Sequence, residues 1–273
     1  MCRLLAYAAP RPTTAADVLG PAQSSRFQQM ARLHQDGWGT MWLDAQGALR
    51  RERVAETGHD SELLAATLGH AIASARVVHL RMATDHMAID PRNTHPFQHG
   101  SIGLAHNGSI VPVDALRGML TPQSLAGVEG STDSELYFAL LRQHVDTGLS
   151  VPDALATTVA EVRAAYPRAS LNAMVLTPTE LCVVRSSPQA PVPWDDFVAS
   201  GLADDELPLG HTDAYFRMMY RRDPDGTVVV SSAGLETTGW TELPEDTVAT
   251  VALEDLRLDL RPVFAGQRAS GAP

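Results

Sequence analysis

The sequence is short of cysteine, of aromatic residues and of positive charge, and it has no long apolar run. Only Cys2 and Cys182 occur in 273 residues. A chain of this length buries a sizeable core without disulfides or metal, so the two are read as free thiols with separate jobs. Aromatic residues make up 5%, against 44% hydrophobic and 19% charged, an ordinary globular balance. Lys and Arg number 21 and Asp and Glu 32, for a formal net charge of −11. That surface excludes nucleic acid or an anionic membrane as the main partner, because both need a basic footprint. No stretch approaches the roughly 18 apolar residues of a membrane span. The N-terminus, Met1-Cys2-Arg3-Leu4-Leu5-Ala6-Tyr7, has no long apolar region and no cleavage signature, which predicts a cytoplasmic protein.

What is present reads as strands running the length of the chain, with helices between them. Residues 4–8 form a short buried strand that Pro10-Arg11-Pro12 is expected to end. Residues 14–33 are helical with interruptions, and Asp36-Gly37-Trp38-Gly39 is a turn before a strand at 40–43. Residues 61–75 carry apolar positions at helical spacing, and 75–80 form a strand with β-branched Val77 and Val78. Residues 84–100 read as an irregular loop and 102–105 as a short strand. Thr132-Asp133-Ser134-Glu135 is a capping box that opens a helix to about Val145. A helix over 151–165, a hairpin over 172–185, a long connection over 188–210 and strands at 227–232 and 247–253 follow. The pattern predicts an α+β fold, one domain over 2–265 and a disordered tail over 266–273.

Several residues carry chemistry, each with a plainer reading beside it. Removal of Met1 makes Cys2 N-terminal. Its α-amine, with a pKa of about 7.7–8.0, then serves as base for its own thiol; the plain reading is a cysteine that merely follows the start residue. Asn107-Gly108 has the form of a hairpin turn. Its functional reading is an oxyanion hole, with the Asn amide and the Gly N–H converging on a developing alkoxide. Arg81, after the strand 77–80, is either a surface cation or a clamp for a carboxylate. Asp133, at a helix start, either complements the dipole or holds an ammonium group. His95 and His99 have i, i+4 spacing, but Pro96 intervenes and neither Cys nor Glu joins them in a ligand pattern, so no metal site is expected.

Six pieces occur in order: Met1-Cys2-Arg3, Asp36-Gly37-Trp38-Gly39, Arg81-Met82-Ala83-Thr84, Asn93-Thr94-His95-Pro96-Phe97, His106-Asn107-Gly108 and Ser131-Thr132-Asp133-Ser134-Glu135. The series resembles the class II glutamine amidotransferase family of N-terminal-nucleophile hydrolases, stand-alone members such as the ergothioneine-pathway γ-glutamyl amidohydrolase included. The resemblance implies a four-layer αββα sandwich. It implies Cys2 as nucleophile, Asn107 and Gly108 as oxyanion hole, Arg81 on the substrate α-carboxylate and Asp133 on its α-ammonium. Thr84 and His95 would line the pocket. Met82 and Asp85 depart from the Trp and His usual in sugar-phosphate members. The implied reaction is hydrolysis of a γ-glutamyl amide, glutamine or a conjugate, through a thioester, without metal or organic cofactor. The alternatives are a glutaminase subunit feeding ammonia to a separate synthase, or a silent binding protein. The partner is a small molecule, and a homo-oligomer is left open. The leaving group is expected to meet the loop 85–99 and the arginines of 215–222.

Overall fold

The computed structural model describes residues 2–83, 87–212 and 214–264. Among them, the strands are β1 (Arg3–Thr13), β2 (Trp38–Leu43), β3 (Leu49–Val54), β4 (Ala73–Leu80), β5 (Phe97–His99), β6 (Ile102–Asn107), β7 (Asn172–Leu176), β8 (Glu180–Arg185), β9 (Met218–Arg222), β10 (Val228–Ser232), β11 (Thr241–Glu242), β12 (Thr247–Ala252) and β13 (Leu258–Pro262). The helices are α1 (Ala15–Leu19), α2 (Pro21–Gln29), α3 (Glu62–Gly69), α4 (Val113–Gly118), α5 (Pro122–Ala126), α6 (Asp133–Asp146), α7 (Val151–Ala165) and α8 (Trp194–Ser200). The strands form two antiparallel sheets, β11-β9-β10-β1-β4-β2-β3 and β13-β12-β8-β7-β6-β5.

Side-chain alternation along the strands builds the layers. Leu4, Ala6, Ala8 and Val77 point from the first sheet into a core shared with Ala105, Met174, Leu176 and Val183 of the second. The opposite parity, Leu5, Tyr7, Val78 and Leu80, meets Ala15, Phe27, Leu64 and Leu68 of α1, α2 and α3. On the far side of the second sheet, Leu104, Ala173, Val175 and Cys182 pack on Leu136, Leu140, Leu155 and Val159 of α6 and α7. The order is helices, sheet, sheet, helices, which is the expected αββα sandwich. Burying one such Leu or Val side chain stabilises it by about 1.5–3 kcal/mol. No helix among the described residues is long and apolar enough to cross a membrane.

The differences from the sequence reading have local causes. β1 continues through Pro10 and Pro12 to Thr13, because that stretch is exposed and its register with β4 shifts between Ala8 and Thr13. Prolines are tolerated where a ladder is irregular. The helix expected over 61–75 stops at Gly69, and Ala73 already pairs with Thr13. Asn107-Gly108 is not a hairpin turn: β6 pairs with β5 and β7, and the chain after Gly108 proceeds to α4. Thr132 caps α6 by accepting from the Glu135 N–H, but Glu135 reaches back to the N–H groups of Glu129 and Gly130 rather than closing a capping box. The tail over 266–273, the domain limit at 265 and Thr84 lie outside the described residues.

Candidate active site

The site forms where one end of each sheet meets the other. β1 is the central strand of its sheet, and Cys2 immediately precedes it. Asn107 ends β6 in the second sheet. The Cys2 N–H donates to Asn107 Oδ1 at 2.9 Å, so the amide side chain bridges the two layers. That leaves Asn107 Nδ2 buried with no hydrogen-bond partner among the described residues. A buried, unpaired amide N–H costs about 1–3 kcal/mol, so a donor kept in this state calls for a role. The Asn107 carbonyl accepts from Ser170 Oγ at 2.8 Å, which fixes the strand end.

Gly108 is required by close approach. A Cβ there would fall well inside contact distance of the Ser170 carbonyl oxygen and 2.6 Å from His106 Nε2. The obstacle is backbone and cannot swing aside. Gly108→Ala is therefore expected to lower stability by about 1–3 kcal/mol and to displace the Asn107 loop. Thermal unfolding checks this, and an unchanged midpoint would contradict it.

Arg81 and Asp133 are both buried charges. Arg81 follows β4, and its guanidinium donates to the carbonyls of Asp36 at 3.1 Å and Ala88 at 3.4 Å. The Asp36 carboxylate in turn accepts from the Ala83 N–H at 2.7 Å. The Asp36-Gly37 turn is thus pinned to the segment after β4, and Gly37 has the positive φ of 130° that this turn needs. Asp133 opens α6; its Oδ2 accepts from the Ile110 N–H at 2.6 Å and its Oδ1 from the Ser134 N–H at 2.8 Å. Neither charge forms an ion pair with a side chain among the described residues. Burial pushes the Cys2 thiol up from its ordinary value, with Arg81 pulling it down and Asp133 pushing it further up.

His95 stands with two histidines that spacing alone did not assign. Its ring lies 4.2 Å from the His79 ring and 4.7 Å from Phe97, centroid to centroid. His79 Nε2 faces the His106 carbonyl at 3.3 Å, and His106 Nδ1 faces Ser134 Oγ at 2.9 Å. His79 was legible in one respect: alternation along β4 puts it on the same inward face as Ala75 and Val77. Burial holds His79 down to about pH 3 and His95 and His34 well below their ordinary range. His106 is lowered by the same cause.

These depressed values set the acid stability. A buried neutral histidine takes up its proton only on unfolding. Its contribution is complete above the unfolded value of about 6.5 and is lost as pH falls from there toward about 3 for His79. The unfolding free energy is expected to fall steeply from pH 6.5 downward, by up to about 1.4 kcal/mol per pH unit per histidine. A flat stability profile between pH 6.5 and 4 would contradict the buried neutral state.

Two of the three arginines of the segment 215–222 are paired elsewhere than the expected leaving-group side. Arg217 pairs with Glu242 at 3.1 Å, and Arg221 pairs with Asp223 at 2.8 Å and lies over the Trp240 ring. The segment approaches the site through its first two residues instead. The Tyr215 carbonyl accepts from Arg3, and the Phe216 carbonyl accepts from Asn172, the β7 partner of Asn107. Phe216 also lines a cavity of about 530 Å³ beside Ser109, Tyr166, Arg168 and Ser170. Cys182 is fully buried between the second sheet and its helices, as expected of a packing thiol.

Residues 1–258 match the family model for class-II glutamine amidotransferases. The γ-glutamyl-hercynylcysteine sulfoxide hydrolase of Mycolicibacterium smegmatis is 28% identical over 252 residues, which cover 90% of this chain and 93% of that one. The glutamine–fructose-6-phosphate aminotransferase of Vibrio vulnificus is 29% identical over 192 residues, covering 70% of this chain but 30% of its own. Among solved structures, a glutamine aminotransferase class-II domain protein from Silicibacter pomeroyi superposes with a TM-score of 0.64 at 21% identity, over 96% of this chain and all of that one. The glutamine phosphoribosylpyrophosphate amidotransferase of B. subtilis gives 0.63 at 16% identity, over 97% of this chain and 50% of its own. The chain belongs to the class-II glutamine amidotransferase family.

Proposed function

We propose that the protein hydrolyses the γ-glutamyl amide bond of a small-molecule conjugate, with Cys2 as nucleophile, and that the conjugate rather than free glutamine is its preferred substrate. The observation that carries the chemistry is the Asn107 side chain, which holds the Cys2 N–H with its oxygen and keeps its Nδ2 donor unspent. The preference for a conjugate is supported by the hydrolase relative, which matches along nearly its whole length, whereas the aminotransferase relative matches over less than a third of its own. Residues 2–265 are read as one domain of this kind.

In this reading Met1 is removed and the Cys2 α-amine is freed. Burial disfavours the thiolate at rest, so the amine takes the thiol proton as attack proceeds. Sulfur bonds to the γ-carbonyl carbon, and the oxyanion receives the Asn107 Nδ2 and Gly108 N–H donors. The proton passes to the departing amine, a γ-glutamyl thioester remains, and water releases glutamate. Arg81 holds the α-carboxylate and Asp133 the α-ammonium, a cation and an anion for a zwitterionic head. His95 is read as part of the wall of that pocket.

The test is glutamate release from a panel of γ-glutamyl amides by the purified chain alone. The expected result is sustained turnover, with kcat/KM for a γ-glutamyl derivative of a bulky cysteine conjugate above that for glutamine. Turnover that depends on a co-purifying partner, with ammonia appearing in that partner's product, supports the glutaminase-subunit reading instead.

A further inference from the structure

Cys2, His79 and His95 come from three separate stretches of chain, yet Cys2 Sγ and one ring nitrogen of each histidine all lie within 4.8 Å of one another. The three residues are buried, at 6%, 0% and 4% exposure. Among the described residues, His79 Nδ1 and both ring nitrogens of His95 have no hydrogen-bond partner. His79 Nε2 meets the His106 carbonyl oxygen, which can only accept. A histidine that donates one N–H to a carbonyl presents its other nitrogen as a lone pair, the arrangement that stands behind metal-bound imidazoles. One thiolate and two imidazoles are a donor set suited to zinc-type ions, with three protein ligands and a fourth position open. Donor atoms around such an ion are roughly 3.3–3.6 Å apart, so movements of about 1 Å close the site.

We propose that Cys2, His79 and His95 bind a thiophilic divalent cation of the zinc class, and that the bound ion inhibits the enzyme by occupying its nucleophile. The inhibitory consequence rests on the reading of Cys2 as nucleophile; the binding itself does not. On binding, the Cys2 thiol releases its proton to solvent and the sulfur lone pair enters the metal–sulfur bond. Coordination draws electron density from the sulfur and places the ion where a carbonyl would approach, so attack is suppressed. The ion is thus a reversible blocker and takes no part in hydrolysis.

The full-length protein, treated with chelator and then freed of it, is titrated with Co²⁺ and with Zn²⁺. Thiolate-to-cobalt charge-transfer absorption and calorimetric stoichiometry are the readouts, beside γ-glutamyl turnover. The expected result is one equivalent bound, a charge-transfer band absent from Cys2→Ala, and affinity lowered at least about tenfold in His79→Gln and His95→Gln. Zn²⁺ at one equivalent should suppress turnover and chelator should restore it. Because a histidine variant can fail to fold, Cys2→Ala keeps the test decisive. Absence of the band in the parent protein, or its persistence in Cys2→Ala, overturns the site. A band that follows Cys2 in a protein with no turnover when metal-free upholds the site and removes the hydrolase reading instead.

Discussion

Cys2→Ala is expected to abolish γ-glutamyl turnover while leaving the unfolding midpoint close to that of the parent protein. In the proposed reaction the thiol is the atom that forms the thioester, so alanine leaves no nucleophile at that position. Structurally the sulfur contributes little: its one hydrogen-bond contact among the described residues is with the Met82 carbonyl at 3.9 Å. The backbone N–H that Asn107 accepts is retained by alanine. The same logic predicts selective labelling. A glutamine-mimicking diazoketone should modify Cys2 and spare Cys182, whose thiol is fully buried and pushed up by desolvation. Retained activity in the alanine variant, or equal labelling of both thiols, contradicts the assignment.

Asn107→Ala is expected to lower kcat by about 10²–10³ with KM little changed, because a donor aimed at charge that develops in the transition state contributes about 2.7–4 kcal/mol there. Two losses are combined in that variant, the Nδ2 donor and the oxygen that holds the Cys2 N–H. Asn107→Asp separates them. It keeps an acceptor for the N–H and replaces the donor by an anion, so its kcat should fall at least as far while Cys2 stays anchored. A change confined to KM in both variants would show that Asn107 binds substrate and does not serve the transition state.

The parts of this protein written in local pattern were legible in its sequence. α7 begins at Val151 and ends at Ala165 as read from the sequence, with Pro152 in its first turn and Ser150 as cap. The β7–β8 hairpin follows from two apolar runs around Pro178-Thr179. The short elements were not legible, because three residues of β5 or two of β11 carry no period. The chemistry of Cys2, Asn107, Arg81 and Asp133 singled each of them out, and the order of the motifs joined them. Their meeting depends on two sheets stacking with β1 and β6 ends aligned, which no spacing reports. The histidines show the limit most clearly. His95 and His99 are neighbours in sequence, yet the partners that His95 meets are His79 and Cys2, 16 and 93 residues away along the chain.

Intact-mass spectrometry with rapid quenching, on protein mixed with a γ-glutamyl amide, addresses the nucleophile directly. The resting protein is expected to lack the mass of Met1. Within the first turnovers it should gain a transient glutamyl group that hydroxylamine removes and that peptide mapping places on Cys2. A resting mass that retains Met1 in an active protein, or turnover with the acyl group on another residue, would contradict the thioester on an N-terminal cysteine.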